Sequence, residues 1–186
     1  MLDYSRAILA EIDALLSRAR SEEIEHAYGL IINAPRVFAS ASGRSGFVLR
    51  TFIMRLNHLG HTAYFVGEAS TPPVREGDLF LVTSGSGSTA TSLGAAMEAA
   101  KLGAQVLALV GSRMSPLGQL ASAVVELPAP HKRGVAGQSD QPSRQTAGSL
   151  FEQGCLILFE SMVLRRFHEL GLDTAAALHR HANLEA

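Results

Sequence analysis

The chain has no tryptophan and a single cysteine, Cys155, among its 186 residues. One thiol cannot close an internal disulfide, and its place in an apolar run marks it as a small buried hydrophobe. A cytoplasmic location is the expectation that follows. Charge is also scarce: Asp, Glu, Lys and Arg make up 18% of the chain and balance to a formal net charge of −1. Without a basic patch no nucleic-acid partner is expected, although a local site for a small anion is not excluded. Long apolar runs are missing as well. VLALV at 106–110 and LILF at 156–159 fall far short of the ~20 residues a membrane-spanning helix needs, so a soluble protein with no membrane partner is expected. The opening MLDYSRAILAEIDALL sets acidic residues within a helical apolar period and lacks the basic head and unbroken apolar stretch of a signal peptide. It reads as a helix of the fold. No G-x-x-x-x-G-K-[ST] occurs anywhere, which removes the nucleotide P-loop.

What is present is apolar residue, 47% of the chain, enough for one continuous core in a single domain spanning 1–186. Ile8, Ile12, Leu15 and Leu16 mark one face of a first helix, and Ser21 followed by Glu22 and Glu23 reads as the N-cap and acidic first turn of a second, so 1–34 is helical. From Arg36 to Leu127 five short apolar runs read as strands: RVFASA (36–41), TAYFV (62–66), DLFLVT (78–83), QVLALV (105–110) and AVVEL (123–127). Stretches with helical period lie between them. Strands apolar on successive residues are buried on both faces. The expected fold is therefore α/β: a three-layer sandwich with a five-stranded parallel sheet, flavodoxin-like, with extra N-terminal helices and a C-terminal helix. Residues 128–147 have loop composition, and at about 20 residues are long for a plain connection. Residues 148–186 then give a long helix, followed by a short one from about Asp173 to His181.

Two loops carry the functional signal. In LVTSGSGSTATSLGAA (81–96) a strand ends in Ser84, Gly85, Ser86, Gly87, Ser88 and Thr89 before a helix begins. Hydroxyls and backbone N–H groups are all it offers, so it can bind but not react. Glycines permit close approach, and the N–H groups at a helix start favour an anion such as a phosphate monoester. Gly85, Gly87 and Ala90 also satisfy the dinucleotide pattern G-x-G-x-x-A; the acidic residue expected about 20 positions on is missing, while Arg113 offers a cation for a 2′-phosphate. A connecting turn is the third reading. ASASGRSG (39–46) repeats the chemistry, with Ser42, Gly43, Ser45 and Gly46 as donors and Arg44 as a cation, or with Ser45 as a plain N-cap.

These loops, together with VGEASTPP (66–73), GSLFEQ (148–153) and HANLE (181–185), resemble the sugar isomerase (SIS) domain family, and within it the 6-phospho-3-hexuloisomerases. The likeness runs from the first helix to the tail. It implies a ketose–ketose isomerisation of D-arabino-hex-3-ulose 6-phosphate to D-fructose 6-phosphate, in the ribulose monophosphate pathway of formaldehyde fixation. It further implies no metal and no organic cofactor, and a homotetramer built as a dimer of dimers with sites near subunit boundaries. Substrate contacts fall on Ser45 and on Ser84, Gly85, Ser86, Gly87, Ser88 and Thr89, and the proton acceptor on Glu152. The family commonly carries SGSGET where this chain has Ser88, so no acidic role passes to that position. The alternatives are another phosphosugar aldose–ketose isomerase and a non-catalytic sugar-phosphate sensor; the latter usually travels with a DNA-binding domain, for which this length leaves no room.

Moving a carbonyl from C3 to C2 needs a base near the carbonyl and an anchor at the phosphate. Glu152, opening the long helix, suits the first task. Ser149 to Glu152 is also a capping-box pattern, S-x-x-E before an apolar run, and by itself supports that alternative. His179 and His181, two apart on a helix, point to nearly opposite faces and do not suit a metal. The resemblance gives His181 either ring opening or the movement of protons between substrate oxygens, the second being favoured because a hexulose with its carbonyl at C3 gains little from ring closure. A plain surface or interface histidine is the alternative. Arg44 and Glu68 are further substrate contacts, Glu68 standing in reserve as a base, and His131, Lys132 and Arg133 read as a solvated loop.

Overall fold

A computed structural model describes residues 1–130 and 143–172. Its elements run α1 (Leu2–Leu16), α2 (Ser21–Asn33), β1 (Val37–Ser40), α3 (Gly43–His58), β2 (Ala63–Phe65), β3 (Leu79–Ser84), α4 (Ala90–Lys101), β4 (Gln105–Val110), α5 (Pro116–Leu120), β5 (Ala123–Glu126) and α6 (Ser149–Glu169). All five expected strands form. They pair in parallel in the order β2-β1-β3-β4-β5, with Val37 opposite both Ala63 and Leu79, and Leu79 opposite Gln105.

Burial on both faces explains the strand sequences. Every residue of β3 is buried, and its side chains alternate between two separate apolar clusters. Leu79 and Leu81 join Leu107 and Leu109 beneath α1, α2, α3 and α6. Phe80 and Val82 join Val106 and Ala108 beneath α4 and α5. Helices therefore cover both faces and the three layers are complete. Along α6, Phe151, Cys155, Leu158, Phe159 and Met162 are buried at helical spacing. Phe159 stacks on Phe52 of α3 with ring centroids 4.3 Å apart. Gly154 lets α1 come close, since a Cβ there would lie 2.7 Å from Leu15 Cδ2. These contacts set α6 beside α3, so that both helices begin at the same end of the sheet.

The chain enters the sheet at β1, moves outward to β2, and returns to β3 on the other side of β1. That reversal opens a crevice at the carboxyl ends of β1 and β3, the place where such sheets bind ligands. One detail of the helix starts differs from expectation. The extended N-cap of α2 is Arg20 (φ −80°, ψ 122°), with Ser21 already helical and no side-chain cap bond. The acidic first turn supplied by Glu22 and Glu23 is present. The expected helix from Asp173 to His181 and most of the 128–147 loop lie outside the described residues. Among the described residues no helix is long and apolar enough to cross a membrane.

Candidate active site

The loop after β3 is shaped by its own hydroxyls and held from behind. Gly87 N–H donates to both the carbonyl (3.0 Å) and the Oγ (3.1 Å) of Ser84, which closes a tight turn with Gly87 at φ +58°. Ser84 Oγ also lies 3.1 Å from Thr89 Oγ1, and Ser86 Oγ accepts from Ser88 N–H and Oγ at 3.3 Å. Behind the turn, a Cβ on Gly87 would meet Ser115 Oγ at 2.0 Å, and Gly87 C=O accepts from Leu117 N–H at 2.9 Å. Gly85 rests on the Phe151 ring, 3.2 Å from where its Cβ would stand, and its carbonyl accepts from Gly111 N–H. Only glycine fits at 87, while at 85 a side chain would crowd the Phe151 ring. The loop after β1 is tied to the same turn, because Ser42 Oγ lies 2.7 Å from Thr91 Oγ1 in the first turn of α4.

The third wall is the start of α6. Its N-cap is Gly148, at φ +94°, so Ser149 is the first helical residue and Glu152 the fourth. A capping box needs Ser149 at the cap itself. It does not form: Ser149 N–H donates to Thr146 C=O, and the Glu152 carboxylate instead accepts from Arg44 Nε–H at 2.5 Å, across 108 residues of sequence. Glu152 exposes only 13% of its side chain and Arg44 68%.

The loops and α6 enclose a cavity of about 370 Å³. The first turns of α3, α4 and α6 line it, and their N-caps, Ser42, Thr89 and Gly148, make no side-chain capping bond. Three positive helix ends and a ring of neutral hydroxyls thus meet at one place, which is an environment for an anion. Among the described residues lining it, Arg44 is the one cation and Glu152 the one carboxylate. A larger hollow of about 450 Å³ lies between α1 and residues 144–153, yet it has no comparable set of helix ends and donor loops. Size alone does not choose the site.

Of the residues expected at a site, Arg44, Ser45, Ser84, Gly85, Ser86, Ser88, Thr89 and Glu152 line the cavity, and Gly87 supports it from behind. Glu68 does not reach it. That residue sits in the turn after β2, half exposed and 3.5 Å from Arg50 Nε. His131, Lys132, Arg133, His179 and His181 lie outside the described residues. Arg113 is held by Glu23 (2.5 Å) and Glu126 (3.1 Å), which engages the cation that a dinucleotide phosphate would have needed. Two features escaped the sequence reading. One is the pairing of Arg44 with Glu152. The other is Thr83, which lines the cavity, is 2% exposed and has a hydroxyl without a partner; its position next to last in a strand at the sheet's reversal point was the available signal. Cys155 is fully inside, and burial, reinforced by the Glu152 charge, pushes its thiol well above the usual value.

Comparison with known proteins adds an independent line. The SIS domain family model matches residues 30–150. The 3-hexulose-6-phosphate isomerase of Bacillus subtilis (strain 168) is 34% identical over 183 residues, covering 98% of each chain. That of Mycobacterium gastri is 41% identical over 155 residues, 83% of this chain and 76% of the relative. Among solved structures, a hypothetical protein of Methanococcus jannaschii, whose crystal structure was reported to infer a molecular function of 3-hexulose-6-phosphate isomerase, superposes with a TM-score of 0.81 at 28% identity. The match covers 98% of this chain and 99% of that one.

Proposed function

The chain belongs to the SIS domain family, alongside relatives named 3-hexulose-6-phosphate isomerase, and from that premise we propose that it interconverts D-arabino-hex-3-ulose 6-phosphate and D-fructose 6-phosphate. The observation that carries the reading is the cavity's division of labour: one carboxylate on α6 facing a set of neutral donors and helix ends at the β1/β3 crevice. The donors suit the inert phosphate, and the carboxylate suits the reacting carbons.

In the forward direction Glu152 takes the proton from C2, which lies next to the C3 carbonyl, and the electron pair passes to the C3 oxygen. The product is a cis-enediolate. Protonation of its C3 oxygen and loss of the C2 hydroxyl proton place the charge on the C2 oxygen. Glu152 then returns its proton to C3 as the carbonyl forms at C2. No atom is gained or lost, and one carboxylate serves both steps. Helix N-termini and hydroxyls near the developing oxyanion stabilise the intermediate. His181 is proposed to carry the proton between the two oxygens.

A cytoplasmic homotetramer, arranged as a dimer of dimers, is part of the same proposal. Exposed apolar side chains support the association: Leu9 on α1, Phe47 and Met54 on α3, and Ile157 and Leu164 on α6. Sedimentation equilibrium measures it directly. The function is tested by incubating purified protein with the hexulose phosphate and coupling fructose 6-phosphate formation to reduction of NADP. Arabinose and heptose phosphates serve as comparators. Turnover of the hexulose phosphate in preference to both is expected, and its absence overturns the proposal.

A further inference from the structure

The contact between Arg44 and Glu152 is awkward for a base. A carboxylate whose oxygen accepts a hydrogen bond from a guanidinium cannot use the same lone pair to take a proton. The two partners differ in freedom. Glu152 is mostly buried at the start of a packed helix, while Arg44 is largely exposed. Arg44 is also badly placed for its own helix. It stands in the first turn of α3, which contains no acidic residue, and a positive helix end repels a cation. Among the described residues Glu152 is its one ion-pair partner. The same cavity is built to receive an anion, through the first turns of α3, α4 and α6 and the Ser84–Thr89 hydroxyls. An incoming phosphate dianion presents more charge and more acceptor oxygens to a guanidinium than one carboxylate does.

We propose that Arg44 is a positioning residue that acts as a substrate-operated lock on Glu152. Its guanidinium holds the carboxylate while the cavity is empty and turns to the phosphate when a phosphorylated sugar binds, which frees the base. Phosphorylation of the substrate then governs turnover as well as affinity. The inference rests on the reading of Glu152 as the base, and its test has one arm that does not depend on that reading.

The independent arm is calorimetric titration with inorganic phosphate. Glu152→Gln removes Arg44's competing partner and should tighten phosphate binding several-fold. Arg44→Gln should weaken it about tenfold, the loss of one charge-assisted hydrogen bond. In the Arg44→Gln background, Glu152→Gln should have no further effect. Unchanged affinity in Glu152→Gln overturns the lock, and so does a gain of equal size in both backgrounds, which marks simple charge repulsion. Because Arg44 is largely exposed, the variants should melt within a few degrees of the parent, and Arg44→Lys, which keeps the charge, should restore part of the phosphate affinity.

The kinetic arm compares Arg44→Met with the parent on hex-3-ulose 6-phosphate and on unphosphorylated hex-3-ulose. The lock predicts that kcat/KM falls for the first and rises for the second, with the rise expressed in kcat. A parallel fall for both marks a purely structural role, and a fall for the phosphorylated substrate alone marks simple phosphate binding; either result overturns the lock. If the parent fails to turn over the hexulose phosphate, the functional reading is lost while the calorimetric arm still decides the lock.

Discussion

Gly87→Ala tests whether the shape of the hydroxyl loop depends on the support behind it. At φ +58° an alanine pays about 1–2 kcal/mol for the left-handed conformation. Its Cβ would also lie 2.0 Å from Ser115 Oγ and 2.4 Å from Ser115 Cβ. Ser115 cannot stay where it is. Its hydroxyl caps α5 by accepting from Gly118 N–H at 3.2 Å, a contact whose loss costs about 0.5–2 kcal/mol. Together the two effects come to about 1.5–4 kcal/mol, which for a chain of this size lowers Tm by about 3–16 °C. Circular dichroism melting measures the shift, and phosphate affinity should fall with it. Adding Ser115→Gly removes both close contacts while costing only a few tenths of a kcal/mol at an N-cap, so about half the loss should return. Melting within about 2 °C of the parent, or no recovery in the double variant, refutes the reasoning.

Cys155 should resist iodoacetamide in the folded protein and react once the chain is unfolded in denaturant, because burial disfavours its thiolate; labelling of the native protein at the rate of a free thiol contradicts its placement. His61 gives a pH dependence. Burial first, and then the Arg166 charge, lower its pKa from the usual 6.5. The unfolded chain therefore binds the proton more readily, and the stability is fully present above about pH 6.5, declines as pH falls through the lowered folded value, and levels off below it. Denaturant unfolding between about pH 7.5 and about pH 5 should show a shallower decline in His61→Asn than in the parent. Equal slopes refute that assignment.

The sheet was legible because its strands are buried on both faces: DLFLVT and QVLALV have no polar side to disguise them, and each lies between glycine-bearing turns and helical stretches. The crevice followed from the same alternation, since serine and glycine cluster where two strands end. Local pattern failed where one backbone torsion decided the matter. The S-x-x-E motif suggested a cap at Ser149, but the left-handed residue is Gly148, and that shift of one residue redirects Glu152 toward the cavity. Ser21 was likewise displaced from the cap of α2 by Arg20. The Arg44–Glu152 pair was beyond a local reading because it depends on α3 packing beside α6, and Glu68, in the turn after β2, pairs with Arg50 and does not line the cavity.

The most direct test of the central claim follows a proton. Fructose 6-phosphate incubated in D₂O with the protein should lose its C3–H signal in the ¹H NMR spectrum as the enediolate forms and Glu152 exchanges with solvent, while Glu152→Gln should bind the sugar phosphate without causing exchange. Loss of C1–H instead would identify an aldose–ketose isomerase, and C3 exchange undiminished in Glu152→Gln would remove the carboxylate from the reaction.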